Sequence, residues 1–182
     1  DVTLMHHNPA LLQNVSDRSV SLGYMNYMSG VSDYSASYAF LMGDKAVVGV
    51  SAQYFDYGTM KHTDAEGNVM GDFKASDFSL NATLSYALSA RLAGGVTARF
   101  IYSSIGDYHS TAAAIDLGLN YYDEEKDFSA SIVAKNLGGQ LSAYNEEYEK
   151  MPADLKVGLT KRLIGTAFRV SLTAADLTHW DY

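Results

Sequence analysis

The sequence predicts an all-β protein: an antiparallel meander of about nine strands that crosses a membrane as part of a β-barrel. Three observations lead to this fold class. Apolar and polar residues alternate through most of the chain after residue 18. The alternating segments are longer than typical strands of soluble proteins, and their polar faces carry small uncharged residues instead of Lys and Glu. No run reaches the roughly 18 apolar residues that a membrane helix needs.

The predicted strands are segments of about 9–13 residues, whereas strands average about 5–6 residues in soluble proteins and about 9–11 in membrane barrels. They lie at 18–27, 32–41, 45–57, 75–87, 91–102, 109–121, 127–137, 154–163 and 167–177. In the clearest one, 75–87, the apolar face Phe78, Leu80, Ala82, Leu84 and Tyr86 opposes the polar face Asp77, Ser79, Asn81, Thr83 and Ser85.

The other strands show the same two-residue period, and most of their apolar faces include an aromatic residue near one end. In chain order these faces are Val20, Leu22, Tyr24; Tyr34, Ala36, Tyr38, Phe40; Ala46, Val48, Val50, Ala52, Tyr54; Leu92, Val96, Ala98, Phe100, Tyr102; Thr111, Ala113, Ile115, Leu117, Leu119, Tyr121; Phe128, Ala130, Ile132, Ala134; Leu155, Val157, Leu159; and Phe168, Val170, Leu172, Ala174. Aromatic residues at strand ends are typical of the girdles at membrane interfaces.

The first 16 residues stand apart from the alternating region. Asn8, Pro9 and Ala10 predict a short helical turn over 8–14, with Asn8 as N-cap and Pro9 at the first helical position. We therefore divide the chain into an N-terminal segment, 1–16, and a barrel region, 17–182. The segment is a candidate plug, although from Asn8, Pro9 and Ala10 alone we favour a capped turn at a chain end.

The predicted connections alternate in length after the second strand. Those at 42–45, 87–90, 122–126 and 163–166 are short, whereas those at 57–75, 103–108 and 138–153 are longer. A membrane barrel with short periplasmic turns and longer outer loops has this pattern, which places segment 1–16 on the periplasmic side. A soluble β-sandwich or lipocalin-like barrel also alternates, but its polar face would meet water and carry more charge.

Two sets of charged and aromatic residues are candidate functional sites. We expect an acidic outer rim that binds partner proteins at Asp64, Glu66 and Asp72 in one long loop and at Tyr144, Glu146, Glu147 and Tyr148 in the other. A second set lies on the polar faces, which would line the lumen: Asp77, Arg91, Arg99, Asp116, Lys135 and Arg169. We favour an ion-paired, stabilising interior for this second set over a charged channel that selects solutes.

Several functions are disfavoured by composition and spacing. The net charge of −8 disfavours nucleic-acid binding, and the absence of cysteine excludes disulfides and thiolate metal sites. His6 and His7 are adjacent and would point apart, and the acidic residues of 57–75 do not follow a calcium-loop order, so we expect no metal site. No arrangement of nucleophile and base is placed for catalysis, so we expect a non-enzymatic protein without a cofactor.

Six segments carry a family resemblance through their order and spacing. They are 6–12 (His-His-Asn-Pro-Ala-Leu-Leu), 20–28 (Val-Ser-Leu-Gly-Tyr-Met-Asn-Tyr-Met), 50–58 (Val-Ser-Ala-Gln-Tyr-Phe-Asp-Tyr-Gly), 71–77 (Gly-Asp-Phe-Lys-Ala-Ser-Asp), 128–138 (Phe-Ser-Ala-Ser-Ile-Val-Ala-Lys-Asn-Leu-Gly) and 168–173 (Phe-Arg-Val-Ser-Leu-Thr). Together they resemble the PorQ family of outer-membrane proteins of the type IX secretion system, and more distantly the PorV family.

The resemblance implies a FadL-like barrel of about 14 strands in the bacterial outer membrane, of which this chain covers a part. It also implies a role in the cell-surface complex that attaches secreted cargo to lipopolysaccharide. The implied partners are PorZ, PorU and PorV, together with outer-membrane lipid. The alternative is a FadL-like transporter for hydrophobic small molecules, which would need an apolar pocket near the plug.

Overall fold

A computed structural model describes residues 1–27, 30–142, 151–163 and 165–178. Nine antiparallel strands form one sheet, and each strand pairs with its neighbours in chain order. The strands are β1 (Ser19–Asn26), β2 (Ser32–Met42), β3 (Ala46–Thr63), β4 (Val69–Ala87), β5 (Leu92–Ile105), β6 (Tyr108–Asp123), β7 (Phe128–Ser142), β8 (Asp154–Arg162) and β9 (Arg169–Ala174). The all-β meander predicted from the alternation is therefore confirmed.

The prediction of a long loop at 57–75 is wrong. β3 continues to Thr63 and β4 begins at Val69, so only residues 64–68 connect them, and Asp72 lies within β4 opposite Lys61. A register shift between Asp56 and Thr59 disturbs the alternation, and Gly58 within it has a φ of 73°. In the sequence, this interruption of the apolar–polar alternation looks like a loop, although it is a β-bulge inside β3.

The predicted loop at 103–108 is also wrong, because β5 and β6 are joined by a tight turn at Gly106 and Asp107. The expected alternation of short and long connections therefore does not hold in the described region. Instead, one hairpin is longer than its neighbours. Pairing of β2 with β3 stops at Asp56 and pairing of β5 with β4 stops at Ala75, so residues 57–74 form a two-stranded projection, which we call the β3–β4 arm.

The two faces of the sheet have inverted polarity compared with a soluble protein. On the apolar face, every strand exposes at least one large side chain, for example Leu22, Tyr38, Val50, Leu84, Phe100, Leu117, Ile132, Leu159 and Leu172. On the polar face, small polar side chains are buried, among them Ser51, Thr83, Ser85, Thr97 and Asn120. Water-soluble sheets normally bury the apolar side chains instead.

The N-terminal segment covers part of the polar face. It forms two 3₁₀ helices, η1 (Val2–His6) and η2 (Pro9–Asn14), of which the sequence predicted only the second. η1 contacts β1 and β2, and η2 contacts β3 to β6. Val2, Met5, Leu12 and Val15 pack with Ala39 and Val47 of the sheet in a small buried cluster. None of the described helices is long and apolar enough to cross a membrane.

Candidate functional site

The start of η2 is held by the Asn8 side chain. Asn8 is the N-cap, with extended backbone, and Pro9 occupies the first turn, as the sequence predicted. The Asn8 Oδ1 atom accepts a hydrogen bond of 2.9 Å from the Ala10 amide, which satisfies an amide that the helix itself leaves free. The Asn8 Nδ2 atom donates to the Leu119 carbonyl of β6 at 3.2 Å. One side chain therefore both caps η2 and fixes it to the sheet.

Three glycines of the polar face form a seat for this segment, which we call the glycine seat: Gly49, Gly95 and Gly118. A Cβ atom at Gly118 would collide with Asn8 Oδ1, and one at Gly95 would lie 2.7 Å from Pro9 Cβ. A Cβ at Gly49 would lie 2.7 Å from the Met5 sulfur. Glycine weakens a strand but permits close approach of another backbone. The sequence signal was three glycines in polar-face positions, but nothing in it showed what would approach them.

Polar contacts from three further strands or turns hold the segment over the sheet. Ser85 Oγ of β4 donates to the Ala10 carbonyl at 3.3 Å, and Gln13 Nε2 donates to the Lys45 carbonyl at 3.0 Å. Lys135 Nζ of β7 donates to the His6 carbonyl at 2.9 Å. Gly49 and Gly95 lie three residues from the starts of β3 and β5, so the seat is close to the end of the sheet where the 43–45 and 88–91 turns lie.

Arg99 and Asp116, two of the charges predicted for the interior, form a buried pair. Arg99 Nη2 lies 2.7 Å from Asp116 Oδ2, and the side chains are 20% and 3% exposed. The backbone amide of Asn136 donates to the other carboxylate oxygen at 2.8 Å. Asn136 has a φ of 57° at a register shift between β6 and β7. This bulge turns an extra amide toward Asp116 and so helps to satisfy a buried carboxylate.

The other predicted interior charges occupy separate places. Lys135 contacts His6, as described above, and Asp77 accepts a 2.7 Å hydrogen bond from Tyr57 Oη. Arg91 lies at a strand end, 3.2 Å from the buried Asp123. Arg169 lies on β9, 3.1 Å from Asp127 in an exposed pair. The predicted set is therefore ion-paired or hydrogen-bonded but is not a single cluster, and Asp123 was missed because it fell in a predicted turn.

A cleft of about 700 Å³ lies on the polar face beside η1. Most of its lining residues are polar, among them His6, Asp33, Gln53, Asp77, Asn81 and Arg99. Gln53 Nε2 donates to both Asp33 oxygens at 3.1 Å. Small-molecule sites are usually concave and mostly apolar with a few converging polar groups, so this cleft has the concave shape but more polar residues than is usual.

His6 connects the N-terminal segment to this cleft. Burial lowers the pKa of His6 below its usual value of 6.5, and the positive charges of Arg99, Lys135 and His7 lower it further. The His6 Nε2 atom lies 3.5 Å from Ser37 Oγ. Because these surroundings disfavour the imidazolium, His6 is neutral near pH 7.

The predicted outer rim is only partly described. Asp64 is at the tip of the β3–β4 arm, where its carboxylate accepts from the Glu66 amide at 3.1 Å and the Asn68 amide at 2.7 Å. Hydrogen bonds from the Asn68 side chain and backbone lower the Asp64 pKa. Glu66 is exposed in the same turn. Tyr144, Glu146, Glu147 and Tyr148 lie outside the described residues. Among the residues that the structure describes, no group of three side chains is placed to hold a metal ion.

Comparison with known proteins adds no family assignment. The chain matches no protein-family model, and no curated protein is significantly similar to it. The PorQ resemblance therefore stays a prediction, and the function has to be inferred from the two faces, the glycine seat and the arm.

Proposed function

We propose that this chain is part of an outer-membrane β-barrel that docks partner proteins of the type IX secretion system and catalyses no reaction. The observation that carries the membrane part is the inverted polarity of the sheet. Large apolar side chains are exposed on all nine strands, while Ser, Thr and Asn are buried on the opposite face. Soluble monomers rarely expose such a continuous apolar surface, whereas lipid is a favourable environment for it.

Continuity of the apolar face across strands supports this assignment. Leu84 of β4 pairs with Val48 of β3 and Val96 of β5, and Val96 pairs with Leu117 of β6. These side chains form one row across four neighbouring strands. In the proposed barrel this row lies against acyl chains, and the polar face with the N-terminal segment lies inside.

The β3–β4 arm is the proposed docking element. β3 and β4 have 18 and 19 residues, whereas a tilted strand crosses a bilayer with about 9–11. The arm lies at the opposite end of these strands from the glycine seat, so it would project on the outer side. Its surface combines exposed Met60 and Met70 with Asp64, Glu66 and Asp72. Apolar side chains surrounded by charge are typical of partner-binding surfaces.

Lipid exposure is tested by placing a charge on the apolar face of the full-length protein. Leu117→Arg should destabilise the barrel by about 2–4 kcal/mol because Leu117 lies mid-strand, whereas Leu163→Arg, just after β8, should cost about 0–1 kcal/mol. Urea unfolding after refolding into phospholipid vesicles measures both. Equal effects of the two variants, or a wild-type protein that stays soluble without detergent, would contradict the membrane assignment.

Docking is tested by shortening the arm. Replacing residues 61–72 with Asn-Gly retains the paired strands below the bulge and supplies a favoured hairpin turn. We expect the shortened protein to assemble normally in the outer membrane and to lose co-purification of PorZ, PorU and PorV. The matched control replaces Glu124, Glu125 and Lys126 in a turn at the other end with Ser. Retained co-purification by the arm variant would exclude the arm as the docking site.

A FadL-like transporter for hydrophobic molecules is the second candidate, because a cleft lies beside the N-terminal segment. The lining of this cleft disfavours transport of hydrophobic molecules, because an apolar ligand would desolvate Asp33, Gln53, Asp77 and Arg99. The test is to purify the protein in a detergent that is not a fatty acid and to analyse it for bound lipid by mass spectrometry. Bound fatty acid would favour transport over docking alone.

A further inference from the structure

A row of aromatic side chains crosses the apolar face near the base of the β3–β4 arm. Its five members, on β1 to β5, are neighbours in register and are all exposed: Tyr24, Tyr34, Tyr54, Phe78 and Tyr102. The ring centroids of Tyr24 and Tyr34 are 5.1 Å apart, and those of Tyr34 and Tyr54 are 6.3 Å apart. In the proposed barrel the apolar face points outward, and such a row marks the boundary between lipid and water.

Beyond the aromatic row, the same outward face becomes polar. The next row on it consists of Asn26, Ser32, Asp56, Ser76, Ser104 and His109. Asn26 Nδ2 donates to Ser32 Oγ at 3.2 Å. Farther along β4, Lys74 and Asp72 continue this face, because alternate residues of a strand point to the same side. The outward face of the arm is therefore suited to water.

The luminal face changes in the opposite direction and becomes apolar at this end of the sheet. Four side chains on β3 to β6 form a surface that we call the mouth patch: Met60, Phe73, Ile105 and Tyr108. Phe73 pairs with Met60, and Ile105 pairs with Tyr108. Phe73 lies four residues before Asp77 on β4, and Asp77 lines the luminal cleft. The two-residue period therefore places Phe73 on the luminal face.

The two halves of the mouth patch meet at the turn between β5 and β6. Ile105 lies four residues after Ile101, which also lines the cleft, so Ile105 shares the luminal face. The Gly106 amide donates to the Lys74 carbonyl at 2.8 Å, and a Cβ atom at Gly106 would lie 3.7 Å from the Phe73 Cβ. This contact holds the turn against the arm and makes the mouth patch one surface.

In the proposed barrel, the mouth patch meets water instead of lipid. It lies beyond the polar row and on the side that faces away from the acyl chains. Met60, Ile105 and Tyr108 are nevertheless 37%, 43% and 59% exposed. A cluster of exposed apolar side chains in water is typical of an interaction surface, and Met and Tyr are enriched in the centres of protein interfaces.

Acidic side chains surround the mouth patch. Asp107 is exposed in the β5–β6 turn, and Asp64 and Glu66 lie at the tip of the arm. The basic residues Lys61 and Lys74 belong to the outward face, where Lys61 pairs with Asp72 in register. A partner with basic side chains around an apolar segment would match the luminal side in both polarity and charge.

We propose that a partner protein docks on the luminal side of the arm, over the mouth of the barrel. Apolar side chains of the partner pack on the mouth patch, and basic side chains lie near Asp64, Glu66 and Asp107. This inference rests on the proposed docking function and specifies the side of the arm that the partner contacts. The outward side, with Lys61 and Lys74, stays in water.

Photo-crosslinking of the full-length protein in intact cells tests which side is used. p-Benzoylphenylalanine replaces Met60 or Tyr108 on the luminal side, and Lys61 or Lys74 on the outward side as matched controls. We expect the two luminal positions to crosslink to the one of PorZ, PorU and PorV that co-purifies with the wild-type protein. The outward positions should give little or none of that product.

A binding measurement tests the chemistry of the surface. Phe73→Asn combined with Tyr108→Asn should weaken partner binding about tenfold or more, because central aromatic side chains dominate binding at interfaces. Lys61→Ser combined with Lys74→Ser, on the other side of the same arm, should leave binding unchanged. Glu66→Gln combined with Asp107→Asn should slow association at low salt, because charges at the edge of an interface act mainly on the association rate.

Several results would overturn the luminal side as the docking surface. They are crosslinks from the outward positions that equal those from the luminal ones, luminal crosslinks only to a second copy of this chain, and unchanged binding by the Phe73 and Tyr108 variant. If that variant does not assemble, the crosslinking result decides. A wild-type protein that co-purifies no partner would exclude docking itself, and this inference with it. A partner that is lost on replacement of residues 61–72, but retained by the mouth-patch variant, would exclude only the luminal side.

Discussion

The polar face of this sheet is buried in one region and exposed in another, although the sequence pattern is the same in both. On β4 to β6, Ser85, Thr97 and Asn120 are buried under or beside the N-terminal segment. On β9, which pairs only with β8 among the described strands, every residue is exposed, including Arg169, Ser171 and Thr173 on the polar face. Alternation therefore determines which side chains share a face, whereas burial depends on what covers that face and on whether the strand has a neighbour on both sides.

The covered region consequently has a different source of stability. Its small residues make room for η1 and η2, and its polar atoms bond to them, as Ser85 does with Ala10. Beside it, Val2, Met5 and Leu12 of the segment form a buried apolar cluster with Ala39 of β2 and Val47 of β3. In the uncovered region, the strands are held by backbone pairing and by contacts such as Thr160 with Ser171 at 2.9 Å. Equivalent substitutions in the two regions should therefore have unequal effects.

The largest difference is expected for the two Arg–Asp pairs. Arg99→Leu leaves the buried carboxylate of Asp116 without its ion-pair partner and should lower the free energy of unfolding by about 3–5 kcal/mol. Arg169 and Asp127 are 58% and 26% exposed, so Arg169→Leu should cost only about 0–1 kcal/mol. Denaturant unfolding of the detergent-solubilised protein measures both values.

A double variant distinguishes the cause of the Arg99 effect. If the cost comes from the unpaired Asp116 carboxylate, Arg99→Leu with Asp116→Leu should be more stable than Arg99→Leu alone, because no buried charge remains. Equal costs for Arg99→Leu and Arg169→Leu would mean that the N-terminal segment does not exclude water from this region.

The strands were predictable from sequence, because the two faces of each strand meet different environments and the side chains therefore alternate with a two-residue period. The arm was not, because its bulge at Gly58 and the glycine at position 71 interrupt that period. The Asn8 cap was predictable from local chemistry alone. By contrast, the pairing of Arg99 with Asp116 and the seating of Pro9 on Gly95 depend on register and on a segment that crosses several strands, which no local pattern encodes.

The second comparison is between two glycines of the polar face, Gly95 on β5 and Gly158 on β8. Gly95→Ala would force a methyl group against Pro9 and should cost about 1–3 kcal/mol through overpacking. Gly158→Ala on β8 would meet Ser131 Oγ at 3.0 Å, and a serine side chain can rotate away, so its effect should stay within about 0.5 kcal/mol. Denaturant unfolding gives the two costs, and protease cleavage within 1–16 shows whether the segment has left the seat.

A Gly95→Ala variant that is as stable and as protease-resistant as Gly158→Ala would contradict a close fit between the segment and the sheet. If Gly95→Ala instead destabilises the protein without exposing residues 1–16 to protease, the cost arises within the strand. The combination of the two measurements therefore separates the fit of the segment from the propensity of the strand.

The smallest expected effect is pH-dependent loosening of the N-terminal segment through His6. The pKa of His6 is lowered in the docked state, first by burial and then by Arg99, Lys135 and His7, so the undocked segment binds a proton more readily. Docking is favoured fully above the usual pKa of 6.5, and this contribution is lost as the pH falls from there through the lowered pKa of the docked state. Asp33 and Asp77 line the same cleft, and His6 itself is only partly buried, so we expect a small effect.

A single spin label can follow this change, because the chain has no cysteine. Asn14→Cys places a nitroxide at the exposed end of η2. The mobility of this nitroxide should rise as the pH is lowered from 7.5 to 5. His6→Gln in the labelled protein should remove the pH dependence, whereas His7→Gln, at an exposed position, should retain it. Loss of the dependence in the His7 variant alone would assign it to His7. A mobility that does not change with pH would mean that protonated His6 is accommodated beside Arg99 and Lys135, and the covered region would then be held by its packing and glycine seat rather than by its charges.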